Sequence, residues 1–266
     1  MYKADWRTPA AYLPLQQYDR AGFAWEIVRR NPDYGREYQW LGDRGPAADA
    51  AMSDQFAKRW GLRFHSDPQL ELDQQPIFWL PEVLPTVLQV QPARPELAID
   101  PLDLGPMLTD PGTEIHQFGS REDVVITRPD GVHRLWLDHY DAEAMAIVIP
   151  IDRLFEHRAA AALYFWRALK GLRPGAEPMP LSAFARGQLI LVLRLLDAEH
   201  DGASEREMAQ VVLNAKAENR RAWITSEDRS RLKRLLARGH KLLAGGYFRL
   251  LNPAPRRPGR PRSKPK

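Results

Sequence analysis

The stretch Ala203–Leu251, ASEREMAQVVLNAKAENRRAWITSEDRSRLKRLLARGHKLLAGGYFRLL, decides how this chain is read. Ser204 and Glu207 have the spacing of a capping box, in which the Ser oxygen takes the N3 amide and the Glu carboxylate returns to the N-cap amide. A short helix is therefore predicted to start at Ser204, with Met208, Val211 and Val212 on one face. Thr225 with Asp228 predicts the start of a longer helix, and Glu227 and Asp228 suit the positive end of its dipole. In that helix Leu232, Leu235, Leu236, Gly239, Leu242 and Leu243 share a face, and Arg231, Arg234, Arg238 and Lys241 form a neighbouring stripe. Gly245-Gly246 supplies a left-handed stop. One face can rest on a core while its neighbour meets phosphate; the alternative is a basic face that is only solvated.

Upstream, Leu181–Glu199 is apolar nearly all round between Leu189 and Leu196, the pattern of a central core helix. Helices at 181–199, 204–214 and 226–244 have the order of a helix-turn-helix unit, in which one helix enters the major groove. Either of the last two is a candidate reader, and the basic stripe favours 226–244. Lys216, Arg220 and Arg221 lie beside Trp223 in the Asn214–Ile224 loop, where the Trp can anchor the loop while the bases touch the DNA backbone. The tail, residues 253–266, is proline, glycine and cation, and is expected to be disordered. Its Arg257, Arg260 and Arg262 resemble an AT-hook, but Pro258 interrupts the usual Arg-Gly-Arg-Pro core, which favours a phosphate-binding arm.

Residues 173–180 hold three prolines and read as a linker, placing a DNA-binding domain at 181–252 and an assembly or regulatory domain at 1–172. Within the latter, 1–60 reads as helical. A helix near Leu15–Arg30 is expected to end at Asn31-Pro32, and another spans 46–60 with Met52, Phe56 and Trp60 at helical spacing. The aromatic and charged run from Ala21 is either packing for the next element or a surface for another subunit or RNA polymerase. From 62 to 150 the period shortens, and PIFWL, TVLQVQ, TEIHQF, DVVITRP, HRLWLDHY and AMAIVIP read as strands of a small antiparallel sheet. Arg128-Pro129-Asp130-Gly131 predicts a hairpin turn. A helix over 151–171 follows, with Leu154, Ala161, Leu163, Phe165 and Leu169 on its apolar side. The fold class is α+β: an N-terminal helical segment, a small antiparallel β-rich middle, a C-terminal all-α helix-turn-helix-like domain and a basic tail.

Charge is segregated along the chain. Residues 1–202 carry 21 Lys/Arg against 29 Asp/Glu, residues 203–252 carry 11 against 5, and the tail carries 6 against none. That asymmetry puts the positive field where a polyanion docks. The 266 residues, 44% apolar with eight Trp, suit a globular chain with room for two domains. No apolar run approaches a membrane span, and MYKADWRTP has no apolar h-region, so neither membrane insertion nor a secretory signal is expected. The absence of cysteine excludes disulfides, thiolate metal sites and Cys nucleophiles, and fits the cytoplasm.

Asp5-Trp6-Arg7, then Arg20-Ala21-Gly22-Phe23-Ala24-Trp25-Glu26 and Arg29-Arg30-Asn31-Pro32-Asp33-Tyr34, resemble the transcriptional regulator-like N-terminal domain of many proteobacterial proteins. Gly202-Ala203-Ser204, Arg206-Glu207-Met208-Ala209, Trp223 and Ala244-Gly245-Gly246-Tyr247 resemble the DNA-binding domain of the RovC family, activators associated with type VI secretion. The resemblances cover about 35 N-terminal and 70 C-terminal residues. They imply DNA binding, with Arg206, Trp223, Arg231 and the Gly-Gly-Tyr end as the matching sites.

The leading expectation is a sequence-specific DNA-binding transcriptional regulator, an activator by the resemblance. Its partners would be double-stranded DNA, a second copy of itself and RNA polymerase, with no membrane and no cofactor. A plasmid or mobile-element maintenance factor would use the same C-terminal chemistry. An enzyme is not expected, since no phosphate loop, dinucleotide glycine pattern, His-Glu-x-x-His or Gly-x-Ser-x-Gly occurs. His133, Asp138, His139 and Asp141 have donor types that could hold a metal, but a polar hairpin rim is the simpler account, and no metal is expected. A third class is a ligand sensor built on the middle sheet, for which the sequence names no constellation.

Overall fold

The computed structural model of the chain describes residues 4–44, 50–94, 96, 98–118, 120–138, 144–173, 175–216 and 220–253. Two short 3-10 turns, Pro9–Tyr12 and Pro14–Gln17, precede helix α1 (Arg20–Val28), whose N-cap Asp19 accepts a hydrogen bond from the Gly22 amide at 2.8 Å. The single helix expected near 15–30 is thus broken, because Tyr18 and Asp19 are extended between the second 3-10 turn and α1. Asn31-Pro32 ends α1 as expected, but the proline also opens α2 (Pro32–Arg44), where its missing N–H is no loss. Helix α3 is Ala50–Trp60. No helix among the described residues is long and apolar enough to cross a membrane.

The middle of the chain is one five-stranded sheet: β1 (Val87–Pro92), then short helix α4 (Gly105–Leu108), β2 (Thr113–Phe118), β3 (Arg121–Arg128), β4 (Gly131–Asp138) and β5 (Met145–Val148). Its order is β2-β3-β4-β1-β5, and the β3–β4 hairpin closes through Pro129-Asp130 as the turn residues predict. Two expectations need correction. β1 pairs parallel to β4, so the sheet is mixed and not wholly antiparallel. The chain covers α4, β2 and β3 before returning beside β1, which is the long connection that parallel pairing needs. The PIFWL run forms only an isolated bridge, Leu62 to Trp79, and its Ile77, Phe78 and Trp79 are buried. Strand-like residues there serve packing.

Alternation divides the sheet. Leu88, Val90, Val124, Ile126, Leu135 and Leu137 face a core completed by α4 and by Ala161, Phe165 and Ala168 of α5 (Phe155–Leu169). Leu163, expected on that apolar side, is exposed. The opposite face meets the N-terminal helices through two ion pairs, Arg134 with Asp19 at 2.7 Å and Arg63 with Asp123 at 3.2 Å.

The C-terminal helices are α6 (Ala183–His200), α7 (Glu205–Leu213), α8 (Arg220–Ile224), α9 (Glu227–Lys241) and α10 (Phe248–Leu251). Their apolar residues and those of α1–α3 form one continuous core, with Phe23, Trp25, Ile27, Leu189, Val192, Leu193, Leu232 and Tyr247 in it. The Asp5-Trp6-Arg7 start lies on the α6–α7 junction. Trp6 Nε1 donates to Asp201 at 3.2 Å, Arg7 reaches Glu207 at 2.6 Å, and Arg194 donates to the Trp6 carbonyl at 2.9 Å. The N-terminal and C-terminal helices are one packed unit.

Candidate nucleic-acid interface

Three helices build the surface. Ser204 caps α7 by accepting from the Glu207 amide at 3.2 Å, which is half of the predicted box. The Glu207 carboxylate goes to Arg7 instead of returning to the N-cap amide. Asn214 ends α7 in the left-handed conformation, with φ 57°, and turns the chain toward α8. Helix α9 starts one residue later than Thr225 and Asp228 suggest. Ser226 is the cap, accepting from the Arg229 amide at 3.1 Å.

The packing of α9 follows its sequence. Leu232, Leu235, Leu236 and Gly239 are buried. Gly239 permits a close crossing on α6: a Cβ there would stand 2.9 Å from Leu196 Cδ2 and 3.2 Å from Val192 Cγ1. Beyond Leu242, Gly245 adopts φ 93°, and a Cβ on Gly246 would lie 2.4 Å from the Lys241 carbonyl oxygen. Both glycines are thus required, for different reasons. They turn Tyr247 inward, where its hydroxyl donates to the Trp60 carbonyl at 3.1 Å and its ring stacks on Phe248. Asn31 donates to the Leu243 carbonyl at 2.8 Å, so the N-terminal helices clamp the end of α9.

With one face so fixed, the other is turned to solvent. Arg231, Arg234, Arg238 and Lys241 are exposed, as is Lys233 on the flank opposite Arg231, which the stripe did not include. Among the described residues none of these five has a carboxylate within ion-pair distance. Two acids on the neighbouring helices have other partners. Glu205 pairs with Arg229 at 3.5 Å, tying the start of α9 to α7, and Glu199 holds His240 at 2.6 Å. Lys216 and Arg221 are exposed on the α7–α9 connection, Arg206 is half-buried on α7, and Trp223 is buried beneath the connection as its anchor. Arg220 belongs to α8. Arg257, Arg260 and Arg262 lie outside the described residues. The arrangement is a row of cations without ion-pair partners among the described residues, able to neutralise phosphates.

The other constellation does not converge. His133 is buried against Tyr164 and Phe165, and burial pushes its imidazole down to about 4. Asp138, five residues along β4, projects from the opposite face and pairs with Arg121 at 3.7 Å. His139 and Asp141 lie outside the described residues.

Residues 148–252 match the family model described as "T6SS, Transcription factor, DNA binding domain". Residues 5–65 match the model described as "Proteobacterial transcriptional regulator-like domain". No curated protein matches the chain. The first match begins at the end of the sheet, so it takes in α5 as well as α6–α10.

Proposed function

We propose, from a chain that joins a transcriptional regulator-like domain to a transcription factor's DNA-binding domain, that this protein is a sequence-specific regulator that lays α9 against double-stranded DNA. The observation that carries the reading is the exposed row Arg231, Arg234, Arg238 and Lys241, free of acidic partners on a helix whose other face is locked into the core. Lys216 and Arg221 extend the positive surface across the turn before α9, Arg206 adds to it from α7, and α6, α7 and α9 act as a helix-turn-helix unit with α8 inserted in the turn. The tail cations Arg257, Arg260 and Arg262 supply a phosphate-binding arm that adds affinity without choosing sequence. Residues 1–172 serve assembly and regulation. In this reading the protein is an activator that works as a homo-oligomer with RNA polymerase as partner in the cytoplasm.

Incubating the purified protein with sheared genomic DNA at physiological salt, and sequencing what it retains, tests the reading. A shared motif upstream of an operon is the expected result; retention without a motif, or no retention, contradicts it. Truncation after Leu251 is expected to weaken binding to every DNA while leaving the preferred motif unchanged, as read by anisotropy on matched and scrambled duplexes.

A further inference from the structure

A cavity of about 160 Å³ lies where the three parts of the chain meet. Asp19 and Arg20 reach it from the N-terminal helices, the β3–β4 turn with His133 and Arg134 forms its floor, and α5, the Glu177–Met179 segment and Arg186 of α6 close it. Its polar groups are incompletely used. Arg134 gives Nη1 to Asp19 at 2.7 Å, yet its Nε is buried with no hydrogen-bond partner among the described residues. His133 Nε2 and Arg186 Nε are in the same condition, while Asp130 Oδ1 lies 3.5 Å from Arg128 Nε in an ion pair. Arg134 is only 8% exposed and His133 only 4%, so neither of these two side chains can turn to bulk water. A buried polar atom without a partner costs stability, and several around one cavity mark a site that a ligand completes.

The donor set defines the ligand. Two guanidinium N–H groups, on Arg134 and Arg186, ask for an anionic acceptor. Asp130 and the neutral His133 ring accept from a hydroxyl or amino group. Burial, and after it the neighbouring Asp19 carboxylate, pushes the Glu177 carboxyl above its ordinary range. A space of this size holds about six heavy atoms or slightly more. We propose that this cavity is an effector site for a small carboxylate bearing a hydroxyl or amino group, of the size of a hydroxy acid or amino acid. A second, larger cleft of about 740 Å³ shares Asp19, Gly131 and Arg134 with it. Arg20 belongs to the same wall and donates to the Met179 and Pro180 carbonyls at 2.9 and 3.2 Å. A ligand there presses on the segment leading into α6, and so on the helices that carry α9. That coupling rests on the DNA-binding reading; the binding itself does not.

Isothermal titration of the full-length protein with L-lactate, L-malate and L-serine tests the site without DNA. At least one is expected to bind saturably at one per chain. Arg186→Met, which keeps the stem and removes the guanidinium, should weaken that binding about tenfold, and Ala161→Leu, which fills the cavity from α5, should abolish it. Circular dichroism verifies that each variant is folded, and either variant alone suffices. No saturable heat from any of the three probes, or binding that survives in the folded variants, overturns the proposal. Repeating DNA titrations with the bound probe then decides the coupling: a changed affinity supports it, and an unchanged one overturns it while leaving the site in place. If the protein binds no DNA at all, the functional reading fails and the calorimetry still decides the cavity.

Discussion

Arg30 and Arg238 stand at the ends of helices, and the protein treats them in opposite ways. Arg30, at the end of α1, is buried. Its guanidinium meets Asp197 of α6 at 2.7 and 2.9 Å and also pairs with Glu26, and the Tyr12 hydroxyl donates to the same Asp197 at 2.5 Å. Burial works against its charge, but Asp197 and Glu26 outweigh that and hold its pKa well above the ordinary value. Arg238, in the last turn of α9, is exposed, and among the described residues no acid neutralises it. Arg194 shares the first fate, spending its donors on the Trp6 carbonyl; Arg231 and Arg234 share the second. A cation that is buried and satisfied holds the fold. A row of cations kept rigid and left without acids is available to a polyanion.

That distinction can be broken at either end. Arg30→Met should have the largest effect, because it strands Asp197 and Glu26 in a core that cannot solvate them. A loss of about 3–5 kcal/mol in urea unfolding is expected; a loss below about 1 kcal/mol would show the network to be dispensable. His133 extends the comparison to a buried base. Its folded pKa of about 4 lies below the unfolded 6.5, so the unfolded chain binds more protons between these values. Stability should therefore fall as pH drops from about 6.5 to 4, by up to about 3 kcal/mol, and level off below. His133→Leu should flatten that part of the profile when urea unfolding is followed from pH 7 to pH 4; an unchanged slope would assign it to other groups.

Much of the α9 surface was legible because one helix carries it. A 3.6-residue period puts Leu232, Leu235, Leu236 and Gly239 on one side and Arg231, Arg234 and Arg238 on another, with no information from elsewhere in the chain needed. The β3–β4 hairpin was legible for the same local reason, through Pro129-Asp130-Gly131. What remained hidden depends on distant partners. Nothing near Glu207 in sequence shows that Arg7 will take its carboxylate from the capping box. Nothing near Val87 shows that β1 will lie parallel to β4. The charged look of Arg29-Arg30 conceals two buried side chains, because only Glu26 among their acids is near in sequence and the others lie on α6 and at Glu71. The cavity at Arg134 and Arg186 was invisible too, since its walls come from three separate stretches.

The central claim is that the outer face of α9 meets DNA, and replacing Arg231, Arg234 and Arg238 together by Ala tests it most directly. Wild type and triple variant are compared by anisotropy on a DNA duplex across a series of salt concentrations, with folding checked by circular dichroism. The account predicts weaker binding and a slope of log affinity against log salt reduced by about 2–3, as three phosphate contacts are lost. A folded variant with unchanged affinity and slope would contradict it.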